Sequence, residues 1–151
     1  MIHFQRTRTI NAAPEAVWAV LGRFMQIDEF APQIASVEAL TSGEDGMGSR
    51  RRNVFGNGTS LVEEVVEWNP GVGYTVELSD MAAMPLKQAS SKIFITPQCN
   101  NCQVTWTFDY RVKYGLLGWM LGQTFMKMMM GKIIDSNLKG LEEKAMLPGA
   151  G

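Results

Sequence analysis

Few residues in this chain have types and spacing that could do chemistry. Cys99-Asn100-Asn101-Cys102 has the C-x-x-C spacing of zinc and redox sites. A zinc site needs two further ligands, and the chain offers no other cysteine and a single histidine, His3. A redox C-x-x-C opens a helix, whereas Asn100-Asn101 has the character of a hairpin turn. Two cysteines flanking such a turn could lie close enough for a strained disulfide; coincidence in a turn is the simpler explanation. No G-x-S-x-G or P-loop pattern is present, so no nucleophile comes with a base. Neither a metal nor an organic cofactor is expected.

The remaining chemistry lies in a hairpin. Gly56-Asn57-Gly58, between candidate strands 48–55 and 59–68, is a strong turn signal. A three-residue loop places Arg51 opposite Glu63, and a two-residue Asn57-Gly58 turn places Arg52 there instead. An inward carboxylate is costly unless it is paired. Such a pair could grip a polar ligand head or an ordered water, with Glu63 as a general base; the alternative is a plain cross-strand ion pair at the sheet edge. Arg50-Arg51-Arg52 cannot form one basic surface, because consecutive strand residues face opposite sides, and Glu63, Glu64 and Glu67 offset them. Catalytic candidates reduce to Glu63, Arg51 and Tyr110, with Asp80 a more distant choice.

The elements that must position these residues follow from periodicity and punctuation. Residues 3–10 suggest a first strand. Asn11 as a cap, Pro14 in the first turn and the stripe Val17, Trp18 and Leu21 predict a helix that Gly22 ends. Residues 25–31 suggest a second short helix stopped by Pro32. Strands are then expected at 34–41, 48–55, 59–68, 73–79, 88–96 and 103–112. The last is the clearest, with Val104, Trp106, Phe108, Tyr110 and Val112 alternating against polar neighbours. Tyr114 to Met146 runs without proline and predicts a helix of about 45 Å. Hairpin connections favour an antiparallel sheet with this last helix across its concave face.

Bulk properties narrow the classes. The 151 residues suffice for one domain, expected over 1–147 with a frayed tail at 148–151. Hydrophobic residues make up 46% and charged residues 19%, which argues against disorder. A net charge of -1 gives no global pull toward nucleic acid. The most apolar window, Leu116 to Ile134, is interrupted by Gln123, Lys127 and Lys132, so a membrane span is not expected. Met1 to Arg6 lacks the apolar run of a signal peptide, and with two cysteines the cytoplasm is the expected compartment.

Several of these residues carry a family resemblance. Ile10-Asn11-Ala12-Ala13-Pro14-Glu15-Ala16-Val17-Trp18 resembles the "I-x-A-P-x-x-V-W" opening of the polyketide cyclase/dehydrase and lipid-transport family, within the START and birch-pollen-allergen-like (SRPBCC) superfamily. Gly48-Ser49-Arg50-Arg51 resembles its "G-x-x-R" strand, Glu63 falls where its next strand often carries Glu, and Thr105-Trp106 resembles its "T-W". The resemblance implies an α+β helix-grip fold: a curved seven-stranded antiparallel sheet wrapped around a long C-terminal helix, with two short helices after the first strand and a hydrophobic cavity between. It implies less about activity, because members include lipid carriers, hormone receptors and cyclases.

On a helical wheel, Gly122, Met126, Met129, Met130, Ile133, Asn137 and Gly140 share one broad face, with Gly122 and Gly140 leaving room that a larger side chain would fill. Parity from Trp106, Phe108 and Tyr110 predicts inward Leu61, Glu63 and Val65; Tyr74, Val76 and Leu78; and Ser91, Ile93 and Ile95. The expected ligand-binding set is therefore Leu61, Glu63, Val65, Tyr74, Val76, Ser91, Ile93, Trp106, Phe108, Tyr110, Met126, Met129, Met130, Ile133 and Asn137, with the loop from Asp80 to Leu86 as a gate. The expected partner is a hydrophobic small molecule or lipid, not nucleic acid. A polyketide cyclase/aromatase-like enzyme is the alternative. An apolar outer stripe of Leu117, Leu121, Phe125 and Met128 needs a cover: a neighbouring loop, a homodimer partner, or a membrane surface met peripherally.

Overall fold

The computed structural model describes residues 1–81 and 84–147. The tail at 148–151 and Ala82 and Ala83, in the middle of the expected gate, lie outside the described residues, as do the surroundings of Gly122. Strand β1 (Ile2–Ile10) is followed by α1 (Pro14–Leu21) and a short 3-10 helix (Phe24–Glu29). Six more strands follow: β2 (Ile34–Ala39), β3 (Arg50–Phe55), β4 (Ser60–Asn69), β5 (Gly73–Ser79), β6 (Leu86–Pro97) and β7 (Cys102–Val112). The chain ends in α2 (Gly115–Leu121), a π turn (Gly122–Met126) and α3 (Lys127–Ala145). The seven strands form one curved antiparallel sheet in the order β1-β7-β6-β5-β4-β3-β2, and the C-terminal helix lies against it in the expected helix-grip arrangement.

Local chemistry explains most boundaries. Pro14 starts α1, as expected, but Asn11 does not cap it. The residue before the helix is Ala13, whose carbonyl accepts from the amides of Ala16 and Val17. The backbone N–H of Asn11 donates to Glu142 instead, at 3.2 Å. Glu142 also accepts from Arg8 Nε and Nη2 at 3.0 and 2.8 Å, so one carboxylate ties β1 and the start of α1 to α3.

The β3–β4 hairpin has the three-residue loop: Val54 faces Ser60 and Arg51 faces Glu63. On β4, Val65 pairs with Val76 while Glu67 pairs with Thr75, so Val66 is the extra residue of a bulge. The bulge reverses the alternation and puts Trp68, not Glu67, on the inner face. There Trp68 stacks on Tyr74 at 5.5 Å and meets Trp18 edge-on at 5.3 Å.

The C-terminal helix departs from the regular rod expected of it. In an unbroken α-helix, Trp119, seven residues before the buried Met126, would share its face. The π turn inserts one residue, and Gly118, eight residues before Met126, takes the inner place while Trp119 is about half exposed. Gly118 is required there, because a Cβ would stand 1.6 Å from the Lys113 carbonyl oxygen. The inward face of the helix from Met126 onward carries Met126, Met130, Ile134, Asn137, Leu138 and Leu141. It is rotated by roughly 60° from a face centred on methionines and glycines, and this leaves Met129 39% exposed. Gly140 makes no room for a cavity: a Cβ there would lie 2.0 Å from the Phe30 carbonyl oxygen, so it is a point of close backbone packing.

Candidate functional site

Arg51 and Glu63 meet inside the fold, not at a sheet edge. β3 lies between β2 and β4, and both side chains point inward, that of Arg51 1% exposed and that of Glu63 11%. Arg51 donates to Glu63 Oε1 from Nε at 2.8 Å and from Nη2 at 2.6 Å. Its Nη1 donates to the Phe24 carbonyl, and its guanidinium lies 3.8 Å from the centre of the Phe24 ring. Burial works against the charge on Arg51, but Glu63, with a smaller contribution from Tyr74, outweighs it and holds the guanidinium pKa above its ordinary value. Burial pushes the Tyr74 phenol up; Arg51 pulls it back only in part. Arg51 is thus a buried brace joining β3, β4 and the 3-10 helix, beneath the aromatic cluster of Phe24, Trp68 and Tyr74.

Glu63 has a second neighbour, Asn53, whose Nδ2 donates to the same Oε1 at 2.6 Å. A carboxylate only accepts here, which fixes the Asn53 amide with Oδ1 away from Glu63. All three donors reach Oε1, and among the described residues none reaches Oε2. Asn53 follows Arg51 by two on β3, so its inward position was available from strand parity.

These groups form the polar end of a cavity of about 80 Å³ between the sheet and α3. Leu61, Trp106, Phe108, Met130, Ile133 and Ile134 supply its apolar wall. Ser91 and Asn137 add to the polar lining. Trp106 Nε1 donates to Ser91 Oγ at 2.7 Å, and Ser91 donates onward to the Thr107 carbonyl at 3.2 Å. Among the described residues, no donor reaches the buried Oδ1 atoms of Asn53 and Asn137. These two amide oxygens, lining the same cavity as the Glu63 carboxylate, make the polar end rich in acceptors. Each such buried acceptor costs roughly 1–3 kcal/mol unless a donor arrives.

The expected lining residues divide cleanly. Leu61, Glu63, Ser91, Trp106, Phe108, Met130, Ile133 and Asn137 line the cavity. Val65, Tyr74, Val76, Ile93, Tyr110 and Met126 face inward but are consumed in core packing around it. Tyr110, whose phenol pKa is raised by burial, packs against Phe4 and Phe108. Met129 is outside, on a surface groove. Leu78, expected to face inward, and Met84, from the expected gate, also line it, and Ile27, Ile34, Asn53, Phe55 and Ile134 complete the cavity wall and were not expected there. The groove, of about 450 Å³, is lined by Pro32, Gln33, Asn57, Thr59 and Met129, and Phe55, Met84 and Ile133 border both it and the cavity. Of the expected gate, Met84 stands at this boundary, while Asp80 is turned outward and accepts from Arg52 at 2.7 Å.

Elsewhere, Cys99 and Cys102 are both free; Cys99 is exposed at the turn, where the Gln98 amide donates to the Asn101 carbonyl, and Cys102 is buried. Burial and the nearby Glu15 raise the Cys102 thiol pKa. Among the described residues no helix is long and apolar enough to cross a membrane.

Solved structures of the same fold accompany this geometry at low identity. An uncharacterised protein from Bacillus thuringiensis is 20% identical with a TM-score of 0.76, the match covering 97% of this chain and all of the other. The di-domain ARO/CYC BexL from the BE-7585A biosynthetic pathway is 15% identical (TM-score 0.76), covering 95% of this chain and 46% of that one. Norcoclaurine synthase from Thalictrum flavum, in complex with dopamine and hydroxybenzaldehyde, is 12% identical (TM-score 0.71), covering 94% and 84%. No functionally curated protein matches the chain. The model of one family, described as polyketide cyclase/dehydrase and lipid transport, matches residues 1–146. With nearly its whole length matched and the helix-grip architecture in place, the chain belongs to the polyketide cyclase/dehydrase and lipid transport family.

Proposed function

We propose that the protein binds a small hydrophobic molecule or lipid bearing a hydrogen-bond-donating head. The observation that carries this is the acceptor-rich end of the cavity: Glu63 Oε2 without a donor among the described residues, and two buried amide oxygens unpaired among the lining residues. A hydroxyl or amine head would satisfy these groups, and an apolar body would lie against Leu61, Phe108, Met130 and Ile133. Sparse polar groups in an apolar pocket orient a ligand. At about 80 Å³ the cavity holds only a few waters or a small fragment. A larger ligand must displace Phe55, Met84 or Ile133 and extend into the groove outside. The free cysteines fit a reducing, cytoplasmic setting.

Native mass spectrometry of protein purified from its own host tests this. A co-purifying apolar molecule with a hydroxyl or amine is the expected result. Protein that is consistently empty and fails to take up long-chain alcohols and amines would overturn it.

A second possibility, a cyclase-like enzyme, draws support from Glu63 and from one similarity of fold. With Oε1 held by Arg51 and Asn53, Oε2 is left as a base that no donor reaches among the described residues, and one protein of the same fold is named an ARO/CYC protein. Glu63→Gln separates the two: unchanged affinity with lost turnover favours the enzyme, and weakened affinity favours a head-group contact.

A further inference from the structure

The outer apolar stripe expected on the first half of the C-terminal helix is wider than a stripe. Leu116, Leu117, Trp119, Met120, Leu121 and Phe125 are each about half to three-quarters exposed. Around α2 these positions point in every direction except that of Gly118, which packs on the Lys113 backbone. A folded protein partner covers one side of a helix, and the far side of α2 would stay wet and apolar in such a complex. A fluid lipid surface can receive the helix all round.

Charge points the same way. From Tyr110 to Ile134 the chain carries Arg111, Lys113, Lys127 and Lys132 and no carboxylate, within a protein of net charge -1. Lys87, from the start of β6, lies with Trp119 around one recess beside α2. The nearest acids on the flanking elements are engaged: Asp109 with His3 at 2.6 Å and Asp135 with Arg6 at 3.5 Å. Tyr114, at the base of α2, and Trp119 are the amphipathic aromatics that favour a headgroup boundary. Among the described residues no helix can span a bilayer, so the contact is interfacial.

We propose that the α2 end of the molecule docks on an anionic lipid bilayer. The exposed apolar side chains enter the headgroup–acyl boundary, and Arg111, Lys113 and Lys127 meet the lipid phosphates. Apolar insertion combined with basic residues is the general recipe for peripheral binding. The base of α2 is tied to the β5–β6 connection through the Lys113 amide, which donates to the Pro85 carbonyl at 2.8 Å. Docking would therefore hold Met84, at the cavity boundary, close to the lipid. The docking itself does not require that the cavity hold a ligand.

Vesicle flotation with phosphatidylcholine alone and with added phosphatidylglycerol tests the proposal, with the oligomeric state followed by light scattering. Expected are binding by monomer to the anionic vesicles only, a decline with added salt, and about a five-fold loss of partitioning for each of Lys113→Ala and Lys127→Ala. Leu117→Glu combined with Leu121→Glu should abolish binding and leave the circular dichroism spectrum and Tm unchanged, since both side chains are exposed. A monomer that ignores anionic vesicles overturns the proposal. So does equal, salt-independent binding to neutral vesicles, or a stable dimer that Leu121→Glu disperses without any vesicle binding by wild type.

Discussion

Removing Arg51 alone should do more damage than removing Arg51 and Glu63 together. The side chain of Arg51 is 1% exposed and serves Glu63, the Phe24 carbonyl, the Phe24 ring and the Tyr74 phenol. In Arg51→Met the stem is kept, but Glu63 Oε1 loses two of its three donors and retains only Asn53. Stranding one partner of a buried pair costs about 3–5 kcal/mol. Glu63→Leu strands Arg51 and should cost a similar amount. In Arg51→Met/Glu63→Leu no charge is left buried, and apolar replacement of a whole pair is often neutral or stabilising. The double variant is therefore expected within about 1–2 kcal/mol of wild type, a coupling of several kcal/mol. Urea unfolding followed by tryptophan fluorescence measures this, with stability read from the midpoint at a constant m-value. Two additive single losses, or an Arg51→Met variant within about 1 kcal/mol of wild type, would refute the claim that this pair is a buried, mutually dependent brace.

Three further outcomes follow from the geometry. Gly140→Ala should lower stability by about 1–3 kcal/mol, because the new Cβ meets the Phe30 carbonyl, whereas helix propensity alone would raise it by about 1 kcal/mol; the sign of the change in urea midpoint decides. Tyr74 has a raised folded pKa, so its contribution is fully present below the ordinary tyrosine value of 10.0 and is lost as pH rises through the folded value. Tm should therefore fall above pH 10, with Tyr110 adding in the same direction, at up to about 1.4 kcal/mol per pH unit for each phenol; Tyr74→Phe should make the decline shallower. Ile133→Ala, at the boundary of cavity and groove, should speed both uptake and release of an apolar fluorescent probe in stopped flow, at a stability cost on the order of 1–2 kcal/mol for a half-buried site.

Strand β7 was legible because strict alternation is a local signal: inward Trp106, Phe108 and Tyr110 are separated by polar Thr107 and Asp109, and the strand found, Cys102–Val112, differs by one residue from that expected. Tyr74, Val76, Ser91 and Ile93 then followed from parity alone. The Arg51–Glu63 register was not legible without the family resemblance, since two turn lengths fit the same Gly-Asn-Gly. Features that break a period were hidden. The bulge at Val66 sends Trp68 inward, and nothing in Val-Val-Glu-Trp marks which residue is extra. The π turn turns Gly118 inward in place of Trp119 and defeats a wheel of constant angle. Gly140 has the look of spare room in the sequence because its role depends on Phe30, which lies more than a hundred positions away. Asn53 could have been found by asking what else shares a face with Arg51.

The π turn also separates two demands on one helix. A regular rod transmits its phase along its whole length, so any change in how its tip faces the surroundings must also turn the face that grips the sheet. Five residues, Gly122–Met126, absorb the surplus position before α3 begins. Upstream of them, Trp119, Leu121 and their neighbours can be exchanged without touching Met130, Ile134 or Asn137. The tip and the grip are thus free to diversify under independent selection, so relatives can keep the same cavity wall while presenting quite different ends to their surroundings.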